Sequence, residues 1–97
     1  MLYIKMHISI NKSILAVCDS ELVGKKCSEE EKCLMISEYF YKGELVDEEK
    51  AVIEMRKADS LNIVGKKAVE LAIKEGILSK ENVFLIDDVP YALVFEL

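Results

Sequence analysis

The first ten residues alternate between apolar and polar side chains, and this pattern constrains the fold more than any other feature of the sequence. The apolar positions are Leu2, Ile4, Met6, Ile8 and Ile10. Because successive side chains of a strand point to opposite faces, the alternation predicts a half-buried β-strand. Asn11 tolerates positive φ, and residues 14–18 are apolar on both faces. We therefore expect a two-residue turn and a returning, more central strand, so that the chain opens with a β-hairpin.

Two apolar patterns of helical spacing occupy the middle of the chain. Asp47 is a good N-cap, and the acidic residues after it suit the first turn of an amphipathic helix. Asp59 and Ser60 are predicted to cap a second, more buried helix. The apolar positions of that second helix are Leu61, Val64, Ala68, Leu71 and Ala72. Gly76 followed by apolar Ile77 predicts where it ends.

The segment between the hairpin and the first helix has weaker signals. Residues 22–32 are irregular, and residues 33–36 predict a short strand. Residues 37–44 are aromatic and contain a glycine, which predicts a loop or the end of a strand.

Two further strands are predicted to close the chain, at residues 83–86 and 91–97, with a turn at residues 87–90. Strands thus precede and follow the helices. This order predicts an α+β fold in two layers, with a largely antiparallel sheet of about five strands and two helices on one face. The length of 97 residues fits a single domain over residues 1–97. A hydrophobic content of 52% excludes a disordered chain.

The charges are segregated along the chain. The net charge is -5, but residues 1–28 and 60–80 are mildly basic, and residues 29–59 and 81–97 are acidic. Arg56 is the only arginine, and arginine dominates bidentate recognition of phosphates and bases. We therefore expect no autonomous nucleic-acid binding. We also expect no membrane span, because no apolar run approaches the required length of about 20 residues.

Three cysteines and one histidine are the candidate metal ligands. A zinc site of the Cys3His type would use Cys18, Cys27, Cys33 and His7. Zinc sites commonly contain a closely spaced ligand pair, and the sequence has no Cys-x-x-Cys. We therefore predict structural cysteines, with no metal and no cofactor. An odd number of cysteines without a secretory pattern predicts a reducing cytoplasm.

Two short motifs are candidates for contact with a partner. Val-Gly-Lys-Lys occurs at residues 23–26 and again at residues 64–67. Neither copy is a phosphate-binding P-loop, since the upstream glycine and the following Ser or Thr are missing. The two copies are either coincidental or flank one electropositive surface. Residues 39–41, Tyr-Phe-Tyr, either pack in the core or form an exposed contact patch.

Several blocks of the sequence resemble a family of small archaeal proteins, the domain of unknown function 424. The blocks are residues 39–46, 61–65 and 68–72 together with Gly76 and the hairpin that ends at Asp19. The resemblance implies a single-domain cytoplasmic α+β protein without an established activity, and suggests a role around translation. It also draws attention to Asn62 and Gly65, two poor helix formers at the start of the predicted second helix.

None of these features names an activity, and two hypotheses follow. The first is a non-enzymatic adaptor that contacts a protein or ribonucleoprotein. Its predicted binding residues are Tyr39, Tyr41, Gly43, Asn62, Gly65, Lys66 and Lys67. The alternative is a small-ligand or enzymatic site, with a pocket near Asn62 and contributions from His7 and a thiol. An uncovered sheet edge or face would in addition favour a homodimer.

Overall fold

The N-terminal hairpin forms as the alternation predicts. A computed structural model describes residues 1–95, and in it β1 (Leu2–Ser9) pairs antiparallel with β2 (Lys12–Asp19) over their whole length. Asn11, in the turn, has φ 64°. Strand β2 is central in the sheet, so its residues 15–18 are buried on both faces. The prediction of a half-buried strand followed by a more central strand is therefore confirmed.

Six strands form the main sheet, and two more form a small separate one. The remaining elements are β3 (Lys26–Glu29), β4 (Lys32–Met35), α1 (Glu38–Tyr41), β5 (Glu44–Val46), α2 (Glu48–Lys57), β6 (Ser60–Val64), α3 (Lys66–Lys74), β7 (Phe84–Ile86) and β8 (Val89–Val94), with short 3-10 helices at Ser20–Leu22 and Lys80–Asn82. The main sheet has the order β5-β1-β2-β6-β8-β7, and β3 pairs with β4. Strands β2 and β6 are parallel, whereas the other described pairs are antiparallel. The predicted mixed α+β fold with a largely antiparallel sheet is confirmed, with six strands instead of about five.

The first face of the main sheet carries the two longer helices, as predicted. Helix α2 packs on β1 and β2, and α3 packs on β2, β6 and β8. Between the helices and the sheet lie apolar side chains that include Leu2, Leu15, Val17, Met55 and Ile63, none more than 1% exposed. Burial of each such side chain contributes about 1.5–3 kcal/mol to the free energy of unfolding.

The second face is partly covered too, which a two-layer description does not anticipate. Helix α1 packs on β1 and β2, and the small sheet contacts β7 at the edge of the main sheet. The buried side chains between them are Ala16, Cys18, Cys27, Ile36, Tyr41, Val64 and Ile86. The centre of the main sheet is therefore buried from both sides.

The predicted start of the second helix is wrong. Ser60–Val64 forms the central strand β6, and the helix begins only at Lys66, after Gly65. A short, mostly apolar run such as residues 61–64 fits a buried strand and a buried helix equally well, so its periodicity cannot distinguish the two. The β-branched Ile63 and Val64 suit a strand that is covered on both faces. The predicted end at Gly76 is confirmed: Gly76 has φ 73°, and the Ile77 amide donates to the carbonyl of Ala72 at 2.9 Å.

Three further local predictions need correction. Residues 26–32 are not irregular but belong to the β3–β4 hairpin, whose turn contains Glu30 at φ 56°, whereas the strand predicted at residues 33–36 is confirmed as β4. Residues 38–41 are not a loop but the one-turn helix α1, because the Ser37 hydroxyl accepts a hydrogen bond from the Phe40 amide at 3.1 Å. The last turn is shorter than predicted, and β8 already begins at Val89.

The ends of the two terminal strands also differ from expectation. Met6, Ile8 and Ile10 continue the apolar stripe of β1, yet they are 37%, 81% and 90% exposed because the hairpin tip extends past the helices. Leu93 of β8 and Phe95, one residue past the end of that strand, are exposed as well. The predicted continuation of that strand through Glu96 and Leu97 lies outside the described residues.

Candidate functional site

The aromatic segment of α1 is held against the polar side of β1. The rings of His7 and Phe40 stack with centroids 4.2 Å apart, and His7 Nε2 donates to the Phe40 carbonyl oxygen at 2.8 Å. The Lys5 ammonium donates to the Tyr39 carbonyl and lies 4.8 Å from the centre of the Tyr39 ring. These contacts order α1 but leave the Tyr39 side chain 80% exposed. Tyr39 is therefore an ordered aromatic side chain presented to solvent.

Tyr41 and Asn62, both predicted site residues, are in direct contact. The Tyr41 hydroxyl donates to Asn62 Oδ1 at 2.8 Å. Tyr41 is only 4% exposed, and burial raises its pKa to about 12. Asn62 lies in the middle of β6, half-buried, and its amide satisfies a phenol that would otherwise be buried without a partner. The pair attaches α1 to the centre of the sheet, so Tyr41 has a structural role.

The second face remains open next to this pair. Leu93 of β8 lies opposite Asn62 in the sheet and is 45% exposed, and Phe95, two residues further, is 70% exposed. Tyr39, Asn62, Leu93 and Phe95 are called the α1 surface below. Exposed aromatic and aliphatic side chains of this size, grouped beside an ordered helix, are typical of a contact surface.

Gly43 is required by a close approach of two backbones. A Cβ atom at this position would overlap the carbonyl oxygen of Ile4 and the Cβ of Lys5. The glycine therefore lets the chain leave α1 and pair with β1 as β5. Gly43, like Tyr41, therefore has a role in positioning α1.

Gly65, Lys66 and Lys67 lie elsewhere, at the carboxyl end of the parallel pair β2–β6. The carboxylate of Asp19, the last residue of β2, accepts from the Lys67 amide at 3.0 Å and the Ala68 amide at 2.8 Å. Asp19 thus caps α3 from another strand. Its 3% exposure raises its pKa by desolvation, and the two amide bonds oppose that rise. Gly65, at φ 111°, leaves room for this carboxylate, which a Cβ atom would overlap.

The same end of the sheet holds a cavity of about 360 Å³. Its lining includes Lys66, Lys67, Asp87, Val89 and Pro90. The lysine side chains are exposed, and Lys67 Nζ lies 3.8 Å from the Glu21 carboxylate. Positive and negative groups therefore alternate around the opening, so it is not a uniformly basic surface.

The predicted site residues fall into two groups. Tyr39, Tyr41, Gly43 and Asn62 gather around α1, whereas Gly65, Lys66 and Lys67 gather around the start of α3. Sequence reasoning missed Leu93 as a site residue, because alternation alone does not show which apolar positions stay uncovered. It also missed the capping role of Asp19, which depends on the parallel pairing of β2 with β6.

The three cysteines differ in their exposure to solvent. Cys18 and Cys27 are buried, and burial raises the pKa of Cys18 to about 12. Cys33 is exposed on β4. Within residues 1–95 the structure contains no cluster of three or more His, Cys, Asp or Glu side chains that could hold a metal ion. No helix in the same range is long and apolar enough to span a membrane.

These features define a small mixed α+β domain whose sheet carries helices on one face and an aromatic helical turn on the other. The chain belongs to the family described as protein of unknown function (DUF424), whose sequence model matches residues 6–97. The fold is similar to the crystal structure of an uncharacterized conserved protein from Methanopyrus kandleri, with a TM-score of 0.86 and 23% sequence identity. That alignment covers 99% of this chain and 91% of the other. A search of curated proteins finds no match.

Proposed function

We propose that this protein is a non-enzymatic cytoplasmic binding module that contacts a partner protein, free or within a ribonucleoprotein, through the α1 surface. The observation that carries the proposal is the exposure of Tyr39, Leu93 and Phe95, at 80%, 45% and 70%, beside a helix that fixed contacts hold in place. Removing exposed apolar groups of this size from water stabilises a complex with a partner.

The composition of the surface favours a protein partner. Aromatic side chains are enriched at the centres of protein interfaces, where rigid rings fill pockets at low entropic cost. Lys5 and Lys42 at its border provide polar groups for a surrounding rim. The net charge of -5 and the single arginine argue against a site that binds the nucleic-acid backbone by itself.

The test compares partner capture by the full-length protein and by variants. The wild-type protein is used as bait in native extract, the captured partner is purified, and its Kd is measured. We expect the double variant Tyr39→Ala/Leu93→Asp to weaken binding by at least tenfold, since it removes one exposed ring and places a charge on the open face. Ile53→Ala is the matched control, because Ile53 is also exposed, at 46%, but lies on α2 at the opposite face of the sheet.

The outcomes separate the hypotheses. Unchanged affinity of the double variant would show that the α1 surface is not the contact site. Loss of binding in a Lys66→Ala/Lys67→Ala variant instead would place the contact at the start of α3. Retention of RNA that falls steeply with salt would indicate direct nucleic-acid binding.

The alternative of a small-ligand or enzymatic site at Asn62 remains a prediction. The side-chain oxygen Oδ1 of Asn62 accepts a hydrogen bond from the Tyr41 hydroxyl, and His7 Nε2 donates to the Phe40 carbonyl oxygen. A ligand that used Asn62 Oδ1 or His7 Nε2 would compete with these contacts. The cavity of about 360 Å³ at the carboxyl end of β2 and β6 offers more room, and ligands of open α/β sheets bind at that end of parallel strands.

A further inference from the structure

The outer edge of β1 is unpaired over its second half. Strand β5 pairs with β1 only at Leu2–Ile4, and Gly43 packs against Lys5. Beyond Lys5, no strand of the described chain adjoins the side of β1 that faces away from β2. The Ile4 carbonyl oxygen points to this outer side, toward Gly43. Since main-chain groups alternate in direction along a strand, the N–H and C=O groups of Met6 and Ile8 point outward as well.

The side chains at this edge are apolar and uncharged. Met6 and Ile8 lie on the first face, like Leu2 and Ile4, and Ile10 follows in the turn; the three side chains are 37%, 81% and 90% exposed. Residues 6–11 contain no Lys, Arg, Asp or Glu. Proteins commonly protect free strand edges with charges, prolines or bulges. This edge has none of these devices, which is typical of a strand that pairs with another chain.

We propose that a second copy of the chain covers this edge, with the two β1 strands antiparallel about a two-fold axis beside Ile8. The two six-stranded sheets then join into one continuous sheet. The proposal is independent of the α1 surface, because Met6 and Ile8 lie on the opposite face of the sheet.

The register follows from the backbone. In an antiparallel ladder, the outward-pointing residues of one copy must meet outward-pointing residues of the other, so the two-fold axis passes beside a residue and not between two residues. Within the unpaired part of β1, we compare an axis beside His7 with an axis beside Ile8. An axis at His7 would bring Ser9 of the second copy opposite Lys5, where Gly43 already packs. An axis at Ile8 shifts the second copy outward by two residues, so that only its turn residue Asn11 comes opposite Lys5. It pairs Ile8 with its own copy and His7 with Ser9, and it leaves the turn residue Ile10 beside Met6.

The Ile8 register is complementary in polarity and in charge. Met6 and Ile8 of each copy meet on the first face, with Ile10 at the border of the contact, and residues 6–11 of the two copies contain no charged side chains that would repel each other. The paired stretch is only about five residues long, so it buries less than the roughly 800 Å² per partner of a standard interface. We therefore expect a dimer in concentration-dependent equilibrium with the monomer.

Sedimentation velocity of the full chain over a wide concentration range tests the proposal. The weight-average mass is expected to rise from that of a monomer, 11.0 kDa, toward twice that value. Ile8→Lys is expected to weaken dimerisation by at least tenfold, because it places two lysines side by side at the axis. Ile10→Lys, at a 90% exposed turn position, is a second variant that leaves the strand unaltered.

Leu85→Lys is the matched control, since Leu85 is 61% exposed on β7 at the opposite edge of the same sheet. Circular dichroism verifies that each variant is folded. Amide hydrogen exchange adds a local readout: the Ile8 amide should gain protection at high concentration. A monomer at every concentration, or a dimer unaffected by Ile8→Lys and Ile10→Lys, would overturn the proposal. A dimer lost only in Leu85→Lys would overturn it as well and place the contact at β7.

Discussion

Asp19 occupies the position that an anionic ligand would take at the start of α3. Its carboxylate binds the Lys67 and Ala68 amides, and Gly65 provides the space for it. A helix N-terminus favours negative charge. Here the protein supplies that charge itself, from the end of a neighbouring strand.

Replacement of Gly65 tests this arrangement. Gly65→Ala should lower the free energy of unfolding by about 2–4 kcal/mol, because it adds strain at φ 111° and displaces the Asp19 cap. Gly76→Ala is the matched control: Gly76 also has positive φ, but its added Cβ meets no atom within 4 Å. We expect about 1 kcal/mol there. Equal losses in urea denaturation would show that the contact with Asp19 contributes nothing.

The three thiols should differ in reactivity. The thiolate is the reactive species, and both burial and the raised pKa of Cys18 keep that thiol protonated. Alkylation of the native protein near pH 8 should therefore modify only Cys33 rapidly, whereas all three cysteines should react in urea. Mass spectrometry of digested protein identifies the sites. Rapid native modification of Cys18 would contradict the burial described for the second face.

At the scale of elements, the predictions succeeded where the signal is local. Asp47 caps α2 by accepting from the Lys50 amide at 2.9 Å, and the Gly76 stop forms as expected. Both depend on residues a few positions apart. The prediction for residues 60–64 was wrong because the burial of β6 comes from β2 and β8, which lie far away in sequence. For the candidate site, the sequence pointed to Tyr39 and Asn62 but could not show that exposed Leu93 lies opposite Asn62 on the same face.

The cap of α2 provides a test at this scale. Asp47→Ala should lower the free energy of unfolding by about 1 kcal/mol, since it leaves the Lys50 amide without its side-chain acceptor. Glu48→Gln in the same turn removes only a favourable charge near the helix N-terminus, so we expect a few tenths of a kcal/mol. Thermal and urea denaturation of both variants measure the difference, and an equal effect would assign the stabilisation to charge alone.

For the whole molecule, the buried second face predicts how stability depends on pH. The Cys18 pKa is raised from 9.0 to about 12 by burial, so above pH 9 the unfolded chain loses this proton before the folded chain does. The free energy of unfolding should then fall as pH rises from about 9 to 12, by up to about 1.4 kcal/mol per pH unit from this group. Tyr41, raised from 10.0 to about 12, adds to the fall.

Denaturation at a series of alkaline pH values checks this expectation. Cys18→Ala is predicted to lower stability at pH 7 because it leaves a small void, but to flatten the alkaline slope. Tyr41→Phe should flatten the upper part of the same range. An unchanged slope in both variants would show that neither group is buried in its neutral form.

The parallel pairing of β2 with β6 has a consequence for how the chain reaches its folded state. The N-terminal hairpin needs only neighbouring residues and can form early, whereas Asp19 meets the Ala68 amide 49 residues further on. Contacts between distant parts of a chain slow folding, because the loop must close before they stabilise anything. During synthesis on a ribosome, the apolar residues 14–18 therefore stay uncovered until β6 has emerged. For that interval the hairpin is the part of the nascent chain most exposed to aggregation.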